Sequence, residues 1–427
     1  MHDVHSYEMI HLTIYQYHVH PAAVLSQYRG ILNKILPRSL LPRIKSFNSE
    51  NIPYAYCTVK KKCFKNFHEL TPQGFVFRGD GNDLPSTGCS PLEGHTCCKT
   101  NHSCLRSIVS FKKIPGRQTF KKVGRAIQQF MTIAFPGKYS LCDLSRARGE
   151  IFARFDEQEP RLSPGLGGHH PCAGCGSSMR YPTLHTADAG QAYEVIDRAE
   201  IQSSVDELFF NVSKITRSKD PTVSVMHRTK AMTSIGGRID DMLCDRTVFF
   251  ASKLKTCIGG LLDMRVYQIG NLFLRQAKGI PIGGPISGAI LDLVLARAEC
   301  HFDLFLWPFF AKKWNLAGTR KRWVTFGRYV DDIIAISRWL CPCCVMNLLP
   351  TIYKGLVSFD GSSDGLSFFD PCISVKFLDL WFYVSWSICE TSLVVKHNLF
   401  AYTGDVQFLA KNRFPVPPVI FRPTSNV

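Results

Sequence analysis

GRYVDDII, residues 327–334, sets two adjacent aspartates, Asp331 and Asp332, between apolar residues that favour β-structure. With its flanks, RWVTFGRYVDDIIAISRWL predicts a strand, a tight turn and a second strand. Two ionised carboxylates in such a turn repel each other and resist the loss of water. A divalent cation resolves both difficulties, because Mg²⁺ prefers carboxylate oxygens and is usually held by one or two of them together with substrate phosphates. An ordinary exposed Asp-Asp turn is the alternative.

Two other stretches bear on that choice. TADAGQAYE (186–194) is a strand-like run that contains Asp188, and Tyr193 follows five residues later. RQAKGIPIGGPISGAI (275–290) is a glycine- and proline-rich turn that leads into a helix, with Pro285 at the helix start, where a missing N–H costs nothing. Strands and helices interleave along the chain, which predicts an α+β fold with an antiparallel sheet backed by helices.

The order of these stretches resembles motifs A, B and C of the reverse transcriptase palm. YVDD is the usual catalytic turn of that family, and GIPIGGPISG (279–288) resembles its GxPQGxxxS element. KFLDLWFYV (376–384) resembles its primer-grip hairpin, in the variant typical of Penelope-like and related non-LTR retroelements. The resemblance covers residues from about 180 to about 400. It implies an RNA-directed DNA polymerase of retroelement origin.

The same resemblance implies a division of the chain. The fold would be the right-hand polymerase palm, with fingers and a short or truncated thumb. Residues 1–105 would form an irregular extension that contains cysteine and histidine, and residues 106–180 the fingers with a CxxC insert. Residues 181–375 would form the palm with fingers insertions, and residues 376–427 the primer-grip hairpin and truncated thumb.

The resemblance also assigns roles at the catalytic centre. Asp188, Asp331 and Asp332 would hold two Mg²⁺ ions, for which Mn²⁺ could substitute. One ion would lower the pKa of the primer 3′-OH, and the other would neutralise the triphosphate and the leaving pyrophosphate. The backbone at Ala189 and Gly190 would approach the triphosphate.

Nucleotide and template contacts follow from the same comparison. Tyr193 would act as the sugar gate, because a bulky ring there excludes a ribose 2′-OH and selects deoxynucleotides; a core aromatic residue is the alternative. A second group would let the backbone pass close to the templating base and orient the next helix: Gly279, Pro281, Gly283, Gly284 and Ser287. This element departs from the family at Ile282, where many members have Gln.

Primer and triphosphate contacts are expected on two further segments. The primer grip would consist of Lys376, Phe377, Leu378 and Asp379, with an ordinary core hairpin as the alternative. Cations for the triphosphate are expected in the fingers, and the candidates are Arg106, Lys112, Lys113 and Arg117. A solvated basic face explains any one of these equally.

Cysteine usage indicates the compartment and a second metal. The chain has 17 cysteines, an odd number, and neither a signal peptide nor an apolar run of the roughly 20 residues that a spanning helix needs. These features predict an intracellular, reducing setting, nuclear or cytoplasmic, without secretion or a membrane span. Cys172 and Cys175 form half of a Zn²⁺ knuckle. His169, His170 or Cys142 could complete it, and a free-thiol loop is the alternative. CPCC (341–344) is expected to pack as small buried side chains, with zinc binding as the alternative.

Charge indicates the partners. Lys and Arg number 51 against 34 Asp and Glu, a net charge of +17, which favours polyanions. The expected partners are an RNA template, a DNA or RNA primer and deoxynucleoside triphosphates; the sequence leaves the oligomeric state open. One alternative is a catalytically decayed palm that only binds nucleic acid. Another is an RNA-dependent RNA polymerase, although the Thr and Asn that such enzymes place after Ser287-Gly288 are absent.

Overall fold

The structure is a computed structural model. It describes residues 15–18, 20–59, 67–71, 74–77, 105–141, 144–159, 162–164, 170–179, 182–190, 192–226, 233–236, 246–269, 272–354, 356–360, 373–378, 380–389 and 394–402. Asp379, Cys142 and His169, named above, lie outside these residues.

The α-helices of the described residues are α1 (Pro21–Ile35), α2 (Leu41–Lys45), α3 (Arg117–Ala134), α4 (Leu144–Asp156), α5 (Ala192–Val195), α6 (Arg198–Thr216), α7 (Ala251–Asp263), α8 (Ser287–His301), α9 (Trp307–Lys313) and α10 (Pro342–Ile352). Short 3₁₀ helices cover Arg38–Leu40, Ser49–Asn51 and Arg320–Arg322, and a π-helical segment covers Phe302–Leu306.

The strands of the described residues are β1 (Tyr15–His18), β2 (Tyr54–Val59), β3 (Phe67–Thr71), β4 (Gly74–Phe77), β5 (Leu105–Ser110), β6 (Leu162–Pro164), β7 (His170–Pro171), β8 (Ser178–Met179), β9 (Thr183–Gly190), β10 (Thr222–Met226), β11 (Thr233–Ile235), β12 (Arg246–Phe250), β13 (Val266–Ile269), β14 (Leu272–Gln276), β15 (Thr325–Tyr329), β16 (Asp332–Ser337), β17 (Ser358–Asp360), β18 (Ile373–Phe377), β19 (Leu380–Cys389) and β20 (Val394–Tyr402).

The chain forms two compact units, each built from two separate segments. The first unit comprises Met1–Ala134 and Tyr193–Leu293, and the second comprises Phe135–Ala192 and Val294–Val427. The four-part division drawn from the sequence stays a prediction, because compactness does not identify a fingers or palm role.

The first unit contains a five-stranded sheet in the order β1-β14-β13-β2-β5 and a three-stranded sheet in the order β11-β10-β12. All neighbours are antiparallel except β13 and β2. The amphipathic pattern of residues 111–130 becomes α3, whose apolar face, including Phe120, Ile127 and Phe130, is buried. Two cations of this helix bind the three-stranded sheet: Lys122 Nζ donates to Thr247 Oγ1 at 3.0 Å, and Arg125 to Met226 O at 3.5 Å.

The second unit contains a fully antiparallel four-stranded sheet in the order β15-β16-β9-β17. A second four-stranded sheet has the order β18-β19-β20-β6. Helix α4 covers the first sheet, since Ile151 and Phe155 join Leu184, Ile334 and Phe377 in one apolar cluster. Ile334 and Ile336 of β16 lie in this cluster, and Ile333 and Ala335, which alternate with them, are buried as well, so both faces of β16 are covered. Helices packed on an antiparallel sheet agree with the α+β prediction.

The observed architecture is a mixture of helices with antiparallel sheets, which confirms that level of the fold prediction. The expected helix after the Gly/Pro turn begins at Ser287, and at Phe302 it passes into the π-helical segment before α9 begins at Trp307. Within the described residues, no helix is both long and apolar enough to cross a membrane.

Candidate active site

The hairpin predicted from YVDD is present. Strands β15 and β16 pair in a register that sets Tyr329 opposite Asp332, so Val330 and Asp331 are the two turn residues. Val330 has φ +59°, whereas Asp331 is not among the residues with positive φ. This combination defines a type II′ turn, which normally has glycine at its first central position. A β-branched residue there is strained by roughly 1–3 kcal/mol, so the surrounding structure must hold the turn in place.

Strand β9 brings the third aspartate to this turn. Its antiparallel register with β16 sets Asp188 directly opposite Asp332, and Ala189 N donates a hydrogen bond to Asp331 O at 2.9 Å. Directly opposed residues project from the same face, with Cβ atoms about 4.5–5.5 Å apart. The register therefore sets Asp188 beside Asp332 and next to the turn residue Asp331.

These carboxylates lie at the water-accessible end of a buried strand pair. Asp188 and Asp331 are partly exposed and Asp332 is exposed, whereas Ile333 and Ala189 beside them are buried. Carboxylate oxygens that water can reach are the donors that a hard divalent cation prefers. The residues present therefore fit Mg²⁺ or Mn²⁺.

A fourth acidic residue shares this row of the sheet. Strand β17 pairs with β9 on the side away from β16, and its register sets Asp360 opposite Asp188. Asp332, Asp188 and Asp360 thus occupy one row across three neighbouring strands. Asp360 was not predicted as a site residue, because a three-residue strand has too little pattern to be recognised from sequence.

A buried ion pair lies behind the turn. The side chains of Arg328 and Glu299 are fully buried and form a salt bridge, and Arg328 Nη1 donates to Val330 O at 3.2 Å. Glu299 also accepts from Tyr139 N at 2.6 Å and from Tyr353 Oη at 2.8 Å. Burial, together with the Glu299 carboxylate, raises the pKa of Tyr353 well above its usual value, so its hydroxyl stays a donor. The carbonyl of the strained residue Val330 is thus connected through Arg328 to Glu299, and through Glu299 to Tyr139 N and the Tyr353 hydroxyl.

A second set of contacts continues this network. Tyr139 Oη donates to Asp303 Oδ1 at 2.7 Å, and Arg320 donates to the same carboxylate at 2.7 and 3.1 Å. The Arg320 guanidinium also lies 4.3 Å from the centre of the Tyr139 ring, which itself stacks on Phe326. Because Phe326 belongs to β15, these contacts brace the outer strand of the hairpin.

In the first unit, the Gly/Pro element forms a tight turn that requires glycine. Gly279 has φ +79°, and a Cβ there would overlap the backbone oxygens of Tyr193 and Glu194. Gly283 has φ +95°, and its Cβ would lie 2.5 Å from Val109 O. Ile280 N donates to Tyr193 O at 2.5 Å, which joins the turn to α5.

The Gly/Pro turn places the first residues of α8 close to Tyr193. Gly284 N donates to Pro281 O at 3.1 Å, and the buried Ser287 begins the helix. The Tyr193 hydroxyl lies 3.8 Å from the position that a Cβ of Gly288 would occupy. Within this unit, the expected sugar-gate residue and the Gly/Pro element are therefore neighbours.

The expected primer grip is a hairpin of the second unit. Phe377 pairs with Leu380 across a turn in which Leu378 has φ +58°. Phe377 is buried, and both Leu378 and Tyr329 pack against the apolar cluster under α4. For Lys376 the structure describes the backbone alone.

The remaining candidates are distributed over both units. Lys112, Lys113 and Arg117 are exposed in the first unit, where Arg106 is described by its backbone alone. Cys172 and Cys175 lie between β7 and β8 of the second unit.

One buried polar atom of β9 was not anticipated. His185 lies three residues before Asp188, and its buried Nε2 has no hydrogen-bond partner among the described residues. Burial lowers the pKa of His185 below its usual value of 6.5. This histidine therefore favours the neutral form within the folded sheet.

No protein-family model and no curated protein matches the sequence. Among solved structures, Candida albicans telomerase with a TWJ fragment of telomeric RNA is similar at a TM-score of 0.41 and 14% identity, covering 69% of this chain and 45% of that one. Apo telomerase of Candida tropicalis is similar at 0.38 and 12%, covering 61% and 39%. Telomerase of Candida tropicalis with the TWJ fragment is similar at 0.38 and 13%, covering 66% and 38%. This chain thus spans less than half of each telomerase chain. No function is inferred from similarities at these TM-scores.

Proposed function

We propose that this chain is an RNA-directed DNA polymerase that adds deoxynucleotides to a primer 3′-OH. The observation that carries the proposal is the register of β9 and β16, which sets Asp188 opposite Asp332 beside the YVDD turn. A protein that only bound nucleic acid would have no use for clustered carboxylates facing a polyanion.

The proposed cofactor is Mg²⁺, held by Asp188 and Asp331 with Asp332 beside them. When bound, the ions would lower the pKa of the primer 3′-OH and neutralise the charge of the triphosphate. The chain supplies the placement of the carboxylates: the backbone hydrogen bond from Ala189 to Asp331 and the Arg328 contact to Val330 hold the turn against its strain. Such pre-positioning matters because catalysis of this kind depends on fixed geometry.

Substrate choice is proposed to depend on Tyr193. Its hydroxyl is held next to the first turn of α8, where the Gly/Pro element leaves no side chain at Gly288. A ring fixed at that point would exclude a 2′-OH and select deoxynucleotides. The net charge of +17 supports an RNA template and a primer as the other partners. The KFLDLWFYV hairpin favours a retroelement of Penelope-like or related non-LTR type as the origin.

The direct test is primer extension on a primed RNA template with Mg²⁺ and deoxynucleotides. Asp331→Asn should lower the rate at least roughly a hundredfold, because a lost metal ligand removes several kcal/mol of transition-state stabilisation. Asp206→Asn is the matched control, since it removes an exposed carboxylate of α6 and should leave the rate unchanged. Binding of primer–template without extension by the unaltered chain would overturn the proposal.

Sugar selection has its own test. Tyr193→Ala should raise ribonucleotide incorporation relative to deoxynucleotide incorporation, measured as the ratio of the two kcat/KM values. Tyr193→Phe is the control, because it keeps the ring and should keep the selectivity. An unchanged ratio in Tyr193→Ala would remove Tyr193 from the proposal without affecting the aspartates.

A further inference from the structure

Four cysteines from distant parts of the chain converge in the second unit. The sulfur atoms of Cys172, Cys175, Cys341 and Cys344 all lie within 4.8 Å of one another. The Cys172–Cys344 separation is 3.7 Å and the Cys175–Cys341 separation is 3.6 Å. All four are free cysteines, since a disulfide requires a sulfur separation of about 2.05 Å.

The first cysteine pair lies on a small hairpin. Strands β7 and β8 pair on either side of it, Cys172 N donates to Ser177 O at 2.7 Å, and Gly176 N donates to Cys172 O at 2.8 Å. Gly176 has φ +74°, which suits glycine. The backbone N–H of Gly174 points at Cys172 Sγ at 3.3 Å. This loop thus folds back so that both sulfurs of its Cys-x-x-Cys face the same side.

The second pair opens a helix. Cys341 is the N-cap of α10, its Sγ accepts from Cys344 N at 3.5 Å, and its own N–H donates to Cys172 Sγ at 3.1 Å. The backbone N–H groups of Cys341 and Cys344 therefore both donate to sulfur atoms of the cluster. Cys172, Cys341 and Cys344 are buried, so thiolates there need a cation as counter-charge.

We propose that these four cysteines hold one structural zinc ion. Tetrahedral zinc with Zn–S bonds of about 2.3 Å has sulfur–sulfur edges of about 3.8 Å, close to the two separations observed. The packing around the sulfurs is also specific: a Cβ at Gly174 would lie 2.8 Å from Cys344 Sγ. Two Cys-x-x-Cys pairs that close one tetrahedron without an open position form a structural rather than a catalytic site.

The proposed zinc site lies at one end of the strand pair β9–β16, where it can stabilise their register. The register of β9 and β16 ends at Thr183 opposite Ser337, just where both strands approach the cysteines. Thr183 Oγ1 donates to Leu340 O at 2.6 Å, and Ala173 N donates to Trp339 O at 2.9 Å. Zinc would therefore clamp the two strands at the end away from their aspartates. A register slip by one residue would turn every side chain of β16 to the opposite face, and the clamp opposes that slip.

The zinc site is distinct from the proposed catalytic metals. Asp188 lies five positions after Thr183 on β9, a distance of about 17 Å at about 3.4 Å per residue. Zinc content is therefore independent of polymerase activity, and the catalytically impaired Asp331→Asn chain should contain as much zinc as the unaltered one.

The test is metal analysis of the purified chain after removal of loosely bound ions, with one zinc per chain expected. Cys172→Ser and Cys344→Ser should each lose most of that zinc. Cys343→Ser is the matched control, because Cys343 belongs to the same CPCC run but lies outside the cluster and is exposed. Retention of zinc by both Cys172→Ser and Cys344→Ser, or its loss in Cys343→Ser, would overturn the assignment.

A cysteine variant could lose zinc because it fails to fold, so a second measurement uses the unaltered chain. Replacement of zinc by Co²⁺ in the unaltered chain should give the visible and near-ultraviolet bands of tetrahedral cobalt with four thiolates. An octahedral cobalt spectrum, bound iron in place of zinc, or a folded chain that binds neither zinc nor cobalt would each refute the proposal.

Discussion

The buried Glu299 carboxylate should be indispensable to the second unit. It accepts hydrogen bonds from Arg328, from Tyr139 N and from the Tyr353 hydroxyl, and its side chain has no exposed surface. Glu299→Gln keeps the shape but leaves one carbonyl oxygen where two oxygens served these donors. Arg328 then remains buried without its counter-charge. Removing one partner of such a pair costs about 3–5 kcal/mol, a large part of the stability of a typical domain.

Tryptophan fluorescence measures this loss selectively. All six tryptophans of the chain lie in the second unit, so urea unfolding followed by their emission reports on that unit alone. Tyr353→Phe is the graded control, because it removes one hydrogen bond to the carboxylate and should cost about 1.5 kcal/mol.

Activity should fall along with stability. Because Arg328 also donates to Val330 O, a displaced guanidinium would let the strained turn relax, and a shift of about 1 Å costs roughly a hundredfold in rate. The loss should appear in kcat more than in KM. A Glu299→Gln chain that loses less than about 1 kcal/mol of stability, with kcat unchanged, would refute the view that this pair supports the turn.

Three further outcomes are expected. Val330→Gly should relieve the positive φ and raise the free energy of unfolding by about 0–2 kcal/mol, since about 1–3 kcal/mol of strain is offset by glycine entropy; a clear loss in the fluorescence assay would contradict the strained turn. Gly279→Ala should cost more than about 1 kcal/mol by circular dichroism melting, whereas Gly259→Ala, in open space on α7, should not destabilise the chain; equal effects would contradict the tight turn. His185 has a pKa below 6.5 when folded, so the unfolded chain takes up its proton first and stability should fall as pH drops below about 6.5; His185→Leu should flatten that dependence, and an unchanged slope would assign it elsewhere.

Local pattern was sufficient to predict the Asp-Asp hairpin. Apolar residues that favour β-structure on both sides of an Asp-Asp pair predict two short strands joined by a tight turn, and β15 and β16 form as expected. Tyr193 and the Gly/Pro element were named instead from their resemblance to reverse transcriptase motifs, and the positive φ of Gly279 and Gly283 explains why the turn contains glycine. The strain at Val330 could not be predicted from sequence, since a type II′ turn is normally recognised by glycine at its first central position and this turn has valine there.

Contacts between residues that are distant in the chain could not be predicted from the sequence. Glu299 lies in the apolar run of α8, where its position does not disclose that Arg328 neutralises it. Nothing in the sequence shows that the loops of Cys172 and Cys341 meet, so Cys172 and Cys175 formed only half of a site and CPCC was expected to be buried packing. Asp360 was missed because its strand has three residues and depends on β9 for its place. Each of these features is set by tertiary packing rather than by local propensity.

The central position of β9 has a consequence for biosynthesis. Strand β9 leaves the ribosome long before β16 and β17, the partners that cover its two edges. At about 5–20 residues per second, roughly 7–30 seconds pass before β16 has been made. During that time both edges of β9 can pair with other nascent chains, so productive synthesis should depend on chaperones that shield this segment.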